Sequence, residues 1–310
     1  MDVITSKDFN NCDNGNMAVA IGSFDGLHLG HQAVIKKAME IARKNNMNSG
    51  VYSFVPHPLK VLKPEKAPKL IINSIQKEEI LEKMGVEFFF KQKFTEEFSN
   101  IEFKEFVLDI LIKKLNVNHI VVGEDFKFGH NGKGHVNSLF NLGDEYGFDV
   151  TVLKPIKINE DKISSTKIRE FIKTGKISKA AKYLGRYFQI KGKVVTGDGR
   201  GSKIGFPTAN ISINTDYVLP PDGVYAVYVN YKNERFRGMT NLGYRPTFAG
   251  ENHSIETYIM EFADELYGTN IKIDFVDFIR TEKRFNNSEE LVKQINKDIL
   301  YTNNLLCYNI

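Results

Sequence analysis

The apolar positions of this chain follow one rhythm up to about residue 184 and another beyond it. In the first part, short β-branched or aromatic runs at 19–21, 51–55, 86–90 and 120–122 have the make-up of buried strands. Between them apolar residues recur three and four positions apart, as on one face of a helix. These are Val34, Ile35, Ala38, Met39 and Ala42 after Leu29; Ile75, Ile80, Leu81 and Met84 in 74–84; and Phe103, Phe106, Val107, Ile110 and Leu111 in 102–115. Ile168, Phe171 and Ile172 continue the pattern before Gly175. Strand and helix alternate, which predicts a parallel sheet with right-handed crossovers. From Gly192 onward short alternating runs separated by Gly, Pro and Asn predict an antiparallel barrel. A helix over 288–300, with Leu291, Ile295 and Ile299, is expected to cover that barrel as packing alone. The expected modules are 1–184 and 185–310.

The ends of the predicted strands carry the chemistry. In 18–35, AVAIGSFDGLHLGHQAVI, Gly22 and Gly26 break the strand and the helix begins near Leu29. The first helical N–H groups lack carbonyl partners and carry roughly +0.5 charge, so this junction is an anion site. His28 and His31 flank Gly30 there, three apart on one face, able to reach the same polyphosphate while Gly30 lets the backbone approach. Two ordinary surface histidines, or the start of a zinc site, are the alternatives; no third ligand at metal spacing lies nearby. After the next strand, Pro56-His57-Pro58 forms an abrupt stop where an open parallel sheet binds ligands, which makes His57 a candidate or merely part of a rigid turn. Past 120–122, Asp125, Phe126 and Phe128 stand among Gly129, Gly132 and Gly134: flat rings beside flexible backbone, or a hydrophobic anchor under a mobile loop. Ser164, Ser165 and Thr166 precede a helix that includes Arg169, so hydroxyls, free N–H groups and a guanidinium suit a pyrophosphate, although capping alone explains the hydroxyls. In the second part Gly197, Gly199, Gly201 and Gly205 make a loop able to turn N–H groups toward phosphates, or a plain hairpin connection. It matches neither a P-loop nor a G-x-G-x-x-G fingerprint.

Composition narrows the setting. At 310 residues, with 42% hydrophobic positions and 23 Phe, the chain can bury two cores. No run of about 18 apolar residues occurs, and MDVITSKDFNNCDN lacks the basic-then-apolar order of a signal peptide, so a cytoplasmic protein without membrane partners is expected. Cys12 and Cys307 are too few for a disulfide framework or a sulfur metal site. The net charge of +4 comes without a basic run or interleaved aromatic stripe, which speaks for small polyanionic substrates and against nucleic acid. The sequence is compatible with a homo-oligomer.

Two families are resembled, in order. GSFDGLHLGH resembles the H-x-G-H signature of the nucleotidyltransferases, and the phrase is similar to the N-terminal module of the bacterial bifunctional riboflavin kinase/FAD synthetases. FVPHP resembles that family's F-x-P-H-P segment, and ISSTKIR its second nucleotidyltransferase motif. GFPTANI resembles the G-F-P-T-A-N signature of riboflavin kinases, MTNLGYRPTF their N-x-G-x-R-P-T-F segment, and Glu256 in SIETYIMEF matches their catalytic base. Lys133 and Lys167 stand where the family typically has arginine.

The resemblance implies a Rossmann-like α/β nucleotidyltransferase domain followed by a riboflavin kinase barrel with a C-terminal helix. It implies phosphorylation of riboflavin to FMN with MgATP, then transfer of AMP from ATP to FMN, giving FAD and pyrophosphate. Glu256, His28, His31 and Arg169 are the expected catalytic residues. Gly22, Phe24, Gly30, Ser164, Ser165, Thr166, Gly197, Gly199, Gly201 and Gly205 would bind ATP. Phe54, His57, Asp125, Phe126, Phe128 and Arg280 would bind flavin, and Arg245 is a weaker candidate, as readily a structural ion pair. Thr208 and Asn210 would hold the Mg²⁺ of the nucleotide through hard oxygen ligands. A chain with one surviving activity, or a flavin sensor without catalysis, remains an alternative.

Overall fold

The computed structural model describes residues 1–11, 15–197, 199–213, 215–247 and 250–307, so Cys12 and Phe248 lie outside it, as does the side chain of Arg245. The chain divides into two compact units, Met1–Ser165 and Thr166–Ile310.

The first unit is built on a six-stranded parallel sheet: β1 (Asp2–Thr5), β2 (Met17–Ile21), β3 (Asn48–Val55), β4 (Phe88–Lys93), β5 (Val117–Gly123) and β8 (Asp149–Leu153). Two small hairpins stand apart from it, β6 (Lys127–Phe128) with β7 (Gly134–His135) and β9 (Lys157–Ile158) with β10 (Asp161–Lys162). The spatial order β1-β4-β3-β2-β5-β8 places β2 at the centre, and the chain reverses its direction of travel across the sheet there. Crevices at such a switch point, beyond the carboxyl ends of the strands, are where open α/β sheets bind ligands. β2 is buried throughout, as its apolar run predicts.

Helices α1 (Leu29–Lys44), α2 (Pro58–Leu62), α3 (Ser74–Met84), α4 (Glu96–Ser99), α5 (Phe103–Glu105) and α6 (Val136–Tyr146) fill the connections. The stripe at 102–115 faces the core as expected, running from α5 into a π-helix at Phe106–Lys114, with Phe106, Val107 and Leu111 buried and Phe103 and Ile110 packed against the same core. One expectation needs correction. In α3 the buried side chains are Gln76, Lys77 and Leu81, while Ile75 is 53% exposed. Lys77 is held inward by its bonds to the Ser23 carbonyl at 2.6 Å and to Ser53 Oγ at 3.0 Å, while Asn73 and Gln76 close the helix start with a reciprocal capping box.

In the second unit α7 (Ser165–Lys173, entered from the last residue of the first) and α8 (Ile177–Leu184) lead through Gly185, in the left-handed conformation, to the barrel. Its strands are β11 (Phe188–Val195), β12 (Thr208–Ser212), β13 (Gly223–Tyr231), β14 (Glu234–Thr247), β15 (Gly250–Ile259) and β16 (Asn270–Arg280), closed in the order β11-β12-β15-β14-β13-β16 with every pairing antiparallel. Tyr225, Val227, Val229, Ile273 and Phe275 fill the interior. Thr240 and Thr257 are also fully buried, and their hydroxyls satisfy each other at 2.7 Å. The alternate residues Val224, Ala226 and Tyr228 face outward, and α10 (Ser288–Cys307) packs over them through Ile295, Ile299 and Leu306. No helix among the described residues is long and apolar enough to cross a membrane.

Candidate functional site

The turn after β2 holds the first site. Phe24 and Leu27 are buried non-glycine residues with φ of 47° and 40°, a conformation that persists only where surroundings enforce it. The restraints are visible: Asp25 Oδ1 accepts from the Ile71 N–H at 3.2 Å, the Asp25 carbonyl accepts from Ser165 Oγ at 2.9 Å, and the Ser23 carbonyl accepts from Lys77 Nζ at 2.6 Å. The hydroxyl of Ser165 thus ties down the loop.

His28 is the N-cap of α1, its Nδ1 accepting the His31 N–H at 3.2 Å. An acceptor Nδ1 leaves the proton of a neutral imidazole on Nε2, a donor for an anion. The two rings stack at 3.6 Å and 17°, and Phe24 meets His31 edge-on at 5.3 Å. A Cβ on Gly30 would come within 3.2 Å of the His28 ring, and one on Gly22 within 3.1 Å of the Phe24 ring. Gly30 therefore makes room for the histidine as well as for a ligand.

The neighbouring strand ends bring further candidates to the same edge of the sheet. His57 caps α2 by accepting the Leu59 N–H at 3.2 Å. Asp125 pairs with Lys162 at 2.7 Å; that bond holds its carboxyl below the ordinary carboxylate range, and the nearby His28 acts in the same direction. Phe126 stacks on Phe128 at 5.3 Å and 14°, and is itself only half-buried. Phe128, 6% exposed, packs on Phe103 and Phe106 within the core, while Phe54 is partly buried and packs against that core among Tyr52, Phe94 and Phe98. Two of the loop glycines make room for a ring: a Cβ on Gly129 or Gly134 would strike Phe103 at 2.6 or 2.7 Å. Lys133 is paired with Glu102 at 3.7 Å. Ser164 and Ser165 belong to the first unit, Thr166 and Arg169 to the second.

The second site lies on the outer face of the barrel. Register sets Asn210 of β12 directly opposite Glu256 of β15, and Asn241 of β14 opposite Glu256 on its other side. Thr208, two residues before Asn210, shares its face of the strand. Ser254 Oγ donates to Glu256 Oε1 at 3.1 Å. The loop before β12 includes a short helix, α9 (Arg200–Lys203), with Gly199 and Gly205 in left-handed conformations. A Cβ on Gly197 would fall onto the Asn210 amide, and one on Gly201 onto the Phe206 carbonyl and within 3.4 Å of Thr208 Oγ1. The glycines let the loop close over these two side chains, and the resulting cradle of hard oxygens suits Mg²⁺.

Thr208, Asn241, Glu256 and Tyr258 line a cavity of about 800 Å³ together with Arg280, Phe285, Leu291, Ile295 and Asp298. α10 is thus a wall of the site and not packing alone, which corrects the expectation. Arg280 Nε donates to Asp298 Oδ2 at 2.8 Å, and Gln294 Nε2 donates to Asp298 Oδ1 at 2.8 Å. Asp298 and Lys77 escaped the sequence reading, and Asn241, the first residue of the N-x-G-x-R-P-T-F segment, was not singled out within it. The available signal was an acid three positions after Ile295 on an otherwise apolar stripe, and a lysine four before Leu81. Among the described residues no three His, Cys, Asp or Glu side chains gather as a metal cluster.

A helix-start anion site at an α/β switch point and an oxygen cradle facing a carboxylate on a barrel define a two-module enzyme class that handles nucleotide phosphates. The FAD synthetase family model matches residues 10–167 and the riboflavin kinase family model residues 184–306. The bifunctional riboflavin kinase/FMN adenylyltransferase of Listeria monocytogenes is 41% identical over 91% of this chain and 90% of its own length. The protein of the same description from Bacillus subtilis is 40% identical over 94% and 95%. A solved structure from Streptococcus pneumoniae, described as a macrolide-efflux protein, superposes with a TM-score of 0.88 at 32% identity, covering 97% of this chain and 99% of that one. The chain belongs to the bifunctional riboflavin kinase/FMN adenylyltransferase family.

Proposed function

We propose that this chain makes FAD from riboflavin in two steps, phosphorylation in the barrel and adenylyl transfer in the α/β module, with the functional boundary near residue 184. The observation that carries this reading is the row Asn210–Glu256–Asn241 across three barrel strands, beside a cavity of flavin size.

In the barrel, Glu256 accepts the proton of the ribityl hydroxyl as its oxygen attacks the γ-phosphorus of ATP and ADP leaves. Thr208 and Asn210 hold the Mg²⁺ of the nucleotide, which when bound neutralises phosphate charge. Gly197, Gly199, Gly201 and Gly205 allow the loop to lie close to the phosphates, and Arg280 orients the flavin from its bond to Asp298. In the α/β module the phosphate of FMN attacks the α-phosphorus of a second ATP, pyrophosphate departs, and no covalent intermediate with the protein forms. His28, His31 and the N–H groups of α1 align the phosphates, and Ser164 takes up charge on the leaving pyrophosphate, the role that the family resemblance also implies for Thr166 and Arg169. Asp125 and the open face of Phe126 receive the flavin, with His57 at the adjoining strand end. Flavin and ATP substrates support a cytoplasmic location, and a net charge of +4 without a basic run supports small polyanionic substrates over nucleic acid.

Chromatography of riboflavin incubated with MgATP tests the reading. FAD as product supports it, FMN alone means one surviving activity, and unchanged riboflavin means a binding protein; supplying FMN detects the converse single activity. His31→Ala is expected to abolish FAD formation and spare FMN formation, and Glu256→Ala to stop FMN formation while FMN is still converted to FAD. Loss of both reactions from either change in a folded protein overturns the independent-module mechanism.

A further inference from the structure

A buried lysine supports the first phosphate loop, and neither reaction has yet used it. Lys77 on α3 is 7% exposed; its Nζ donates to the Ser23 carbonyl at 2.6 Å and to Ser53 Oγ at 3.0 Å. Ser53 Oγ in turn donates to the same carbonyl at 3.0 Å. The charged groups that act on it are Asp25, 5% exposed, and Lys91, itself paired with Glu78 at 2.6 Å. Burial pushes the Lys77 ammonium down from 10.5 to about 8, with Asp25 opposing and Lys91 adding to the shift. Burying an ammonium is unfavourable, and a helix that needed only packing here would carry leucine or methionine. What the charge holds is one side of a strained turn. Ser23 precedes Phe24, whose φ is 47° and whose ring meets His31 edge-on; Asp25 on the other side is held by Ile71 and Ser165.

We propose that Lys77 is a positioning residue for adenylyl transfer: by gripping the Ser23 carbonyl it keeps the Phe24 turn, and through it His31, arranged to receive the phosphates of ATP. This rests on the first unit being the adenylyl-transferring module. Above about pH 8 the lysine becomes a neutral amine, whose bond to a carbonyl is roughly half as strong as that of the cation, and its grip weakens. Stability moves the other way. The folded value lies below the unfolded one, so the unfolded chain binds more protons between about 8 and 10.5; the penalty is full below about 8 and is relieved as pH rises toward 10.5. A lysine with only a structural role would make activity follow stability.

The test uses full-length wild type, Lys77→Met and Ser53→Ala, measuring kcat/KM for ATP in FAD formation from pH 6.5 to 9.5. FMN formation from riboflavin and the thermal unfolding temperature are followed on the same samples. In wild type, FAD formation is expected to fall along a limb near pH 8 without a matching fall in unfolding temperature relative to Lys77→Met. Lys77→Met should lack that limb and lie about tenfold or more below wild type at pH 7, as loss of a charge-assisted bond predicts. Ser53→Ala removes an acceptor for the ammonium and should move the limb to lower pH; FMN formation should be unchanged in all three. Wild-type rates in Lys77→Met, a limb that survives in it, or a wild-type profile without one overturns the inference. If Lys77→Met fails to fold, a limb unmoved by Ser53→Ala overturns it instead. Wild type making no FAD overturns the reading of the module, whereas FAD made with Lys77 inert overturns only this inference.

Discussion

Two site glycines of this chain act through the side chains that occupy their missing Cβ positions. Gly197 gives its space to the Asn210 amide and Gly30 to the His28 ring, so each is a statement about its neighbour. Gly197→Ala is therefore expected to displace Asn210, and because misplacement by about 1 Å costs roughly a hundredfold, kcat/KM for MgATP in riboflavin phosphorylation should fall by about that factor. FAD formation from supplied FMN should be unaffected; a Gly197→Ala enzyme with normal kinase kinetics would show that the loop does not need this contact. At this scale the candidate residues of both sites were named from motif and residue type. Lys77 was not, since it acquires meaning only from the Ser23 carbonyl and Ser53 hydroxyl that it meets.

Among the elements, α3 and α10 depart furthest from their hydrophobic patterns, for different reasons. In α3 the bonds of Lys77 to the Ser23 carbonyl and Ser53 Oγ hold a lysine inward, so polar contacts outrank the apolar stripe. In α10 the stripe is interrupted by Asp298, whose side chain is 4% exposed and bonded to Arg280 at 2.8 Å, 15% exposed. Removing one member of a buried pair strands the other, so Asp298→Ala should destabilise the second unit by about 3 kcal/mol. The urea midpoint, followed by a signal from that unit, checks this; a change of only a few tenths of a kcal/mol would mean that Arg280 finds another partner. The same substitution should raise KM for riboflavin, since Arg280 loses its anchor in the cavity wall. The run 102–115 teaches a related lesson: periodicity finds a helix and its core residues, but three-to-four spacing does not distinguish α from π winding when Phe106, Val107 and Leu111 satisfy both.

For the whole molecule, two separate cores predict two separable responses. A ligand that binds the native state of one unit stabilises that unit by about 2.7 kcal/mol at a hundredfold excess over its Kd, and leaves the other unchanged. Calorimetry with riboflavin and MgADP is expected to raise one unfolding transition, and FMN with a non-hydrolysable ATP analogue to raise the other in the Glu256→Ala variant. A single transition raised equally by either addition would overturn the two-module description. The sequence by itself determined the two rhythms, hence the parallel sheet and the barrel, the turn that carries His28 and His31, and the placing of Thr208, Asn210 and Glu256 on barrel strands, because burial period and turn chemistry are local properties. Only the tertiary structure decided that Asn210 and Asn241 flank Glu256, that α10 walls the cavity, that Phe128 packs in the core, and that Lys77 lies beneath Ser23. Register, helix rotation and packing are settled by contacts between segments far apart in the chain, and no local pattern records them.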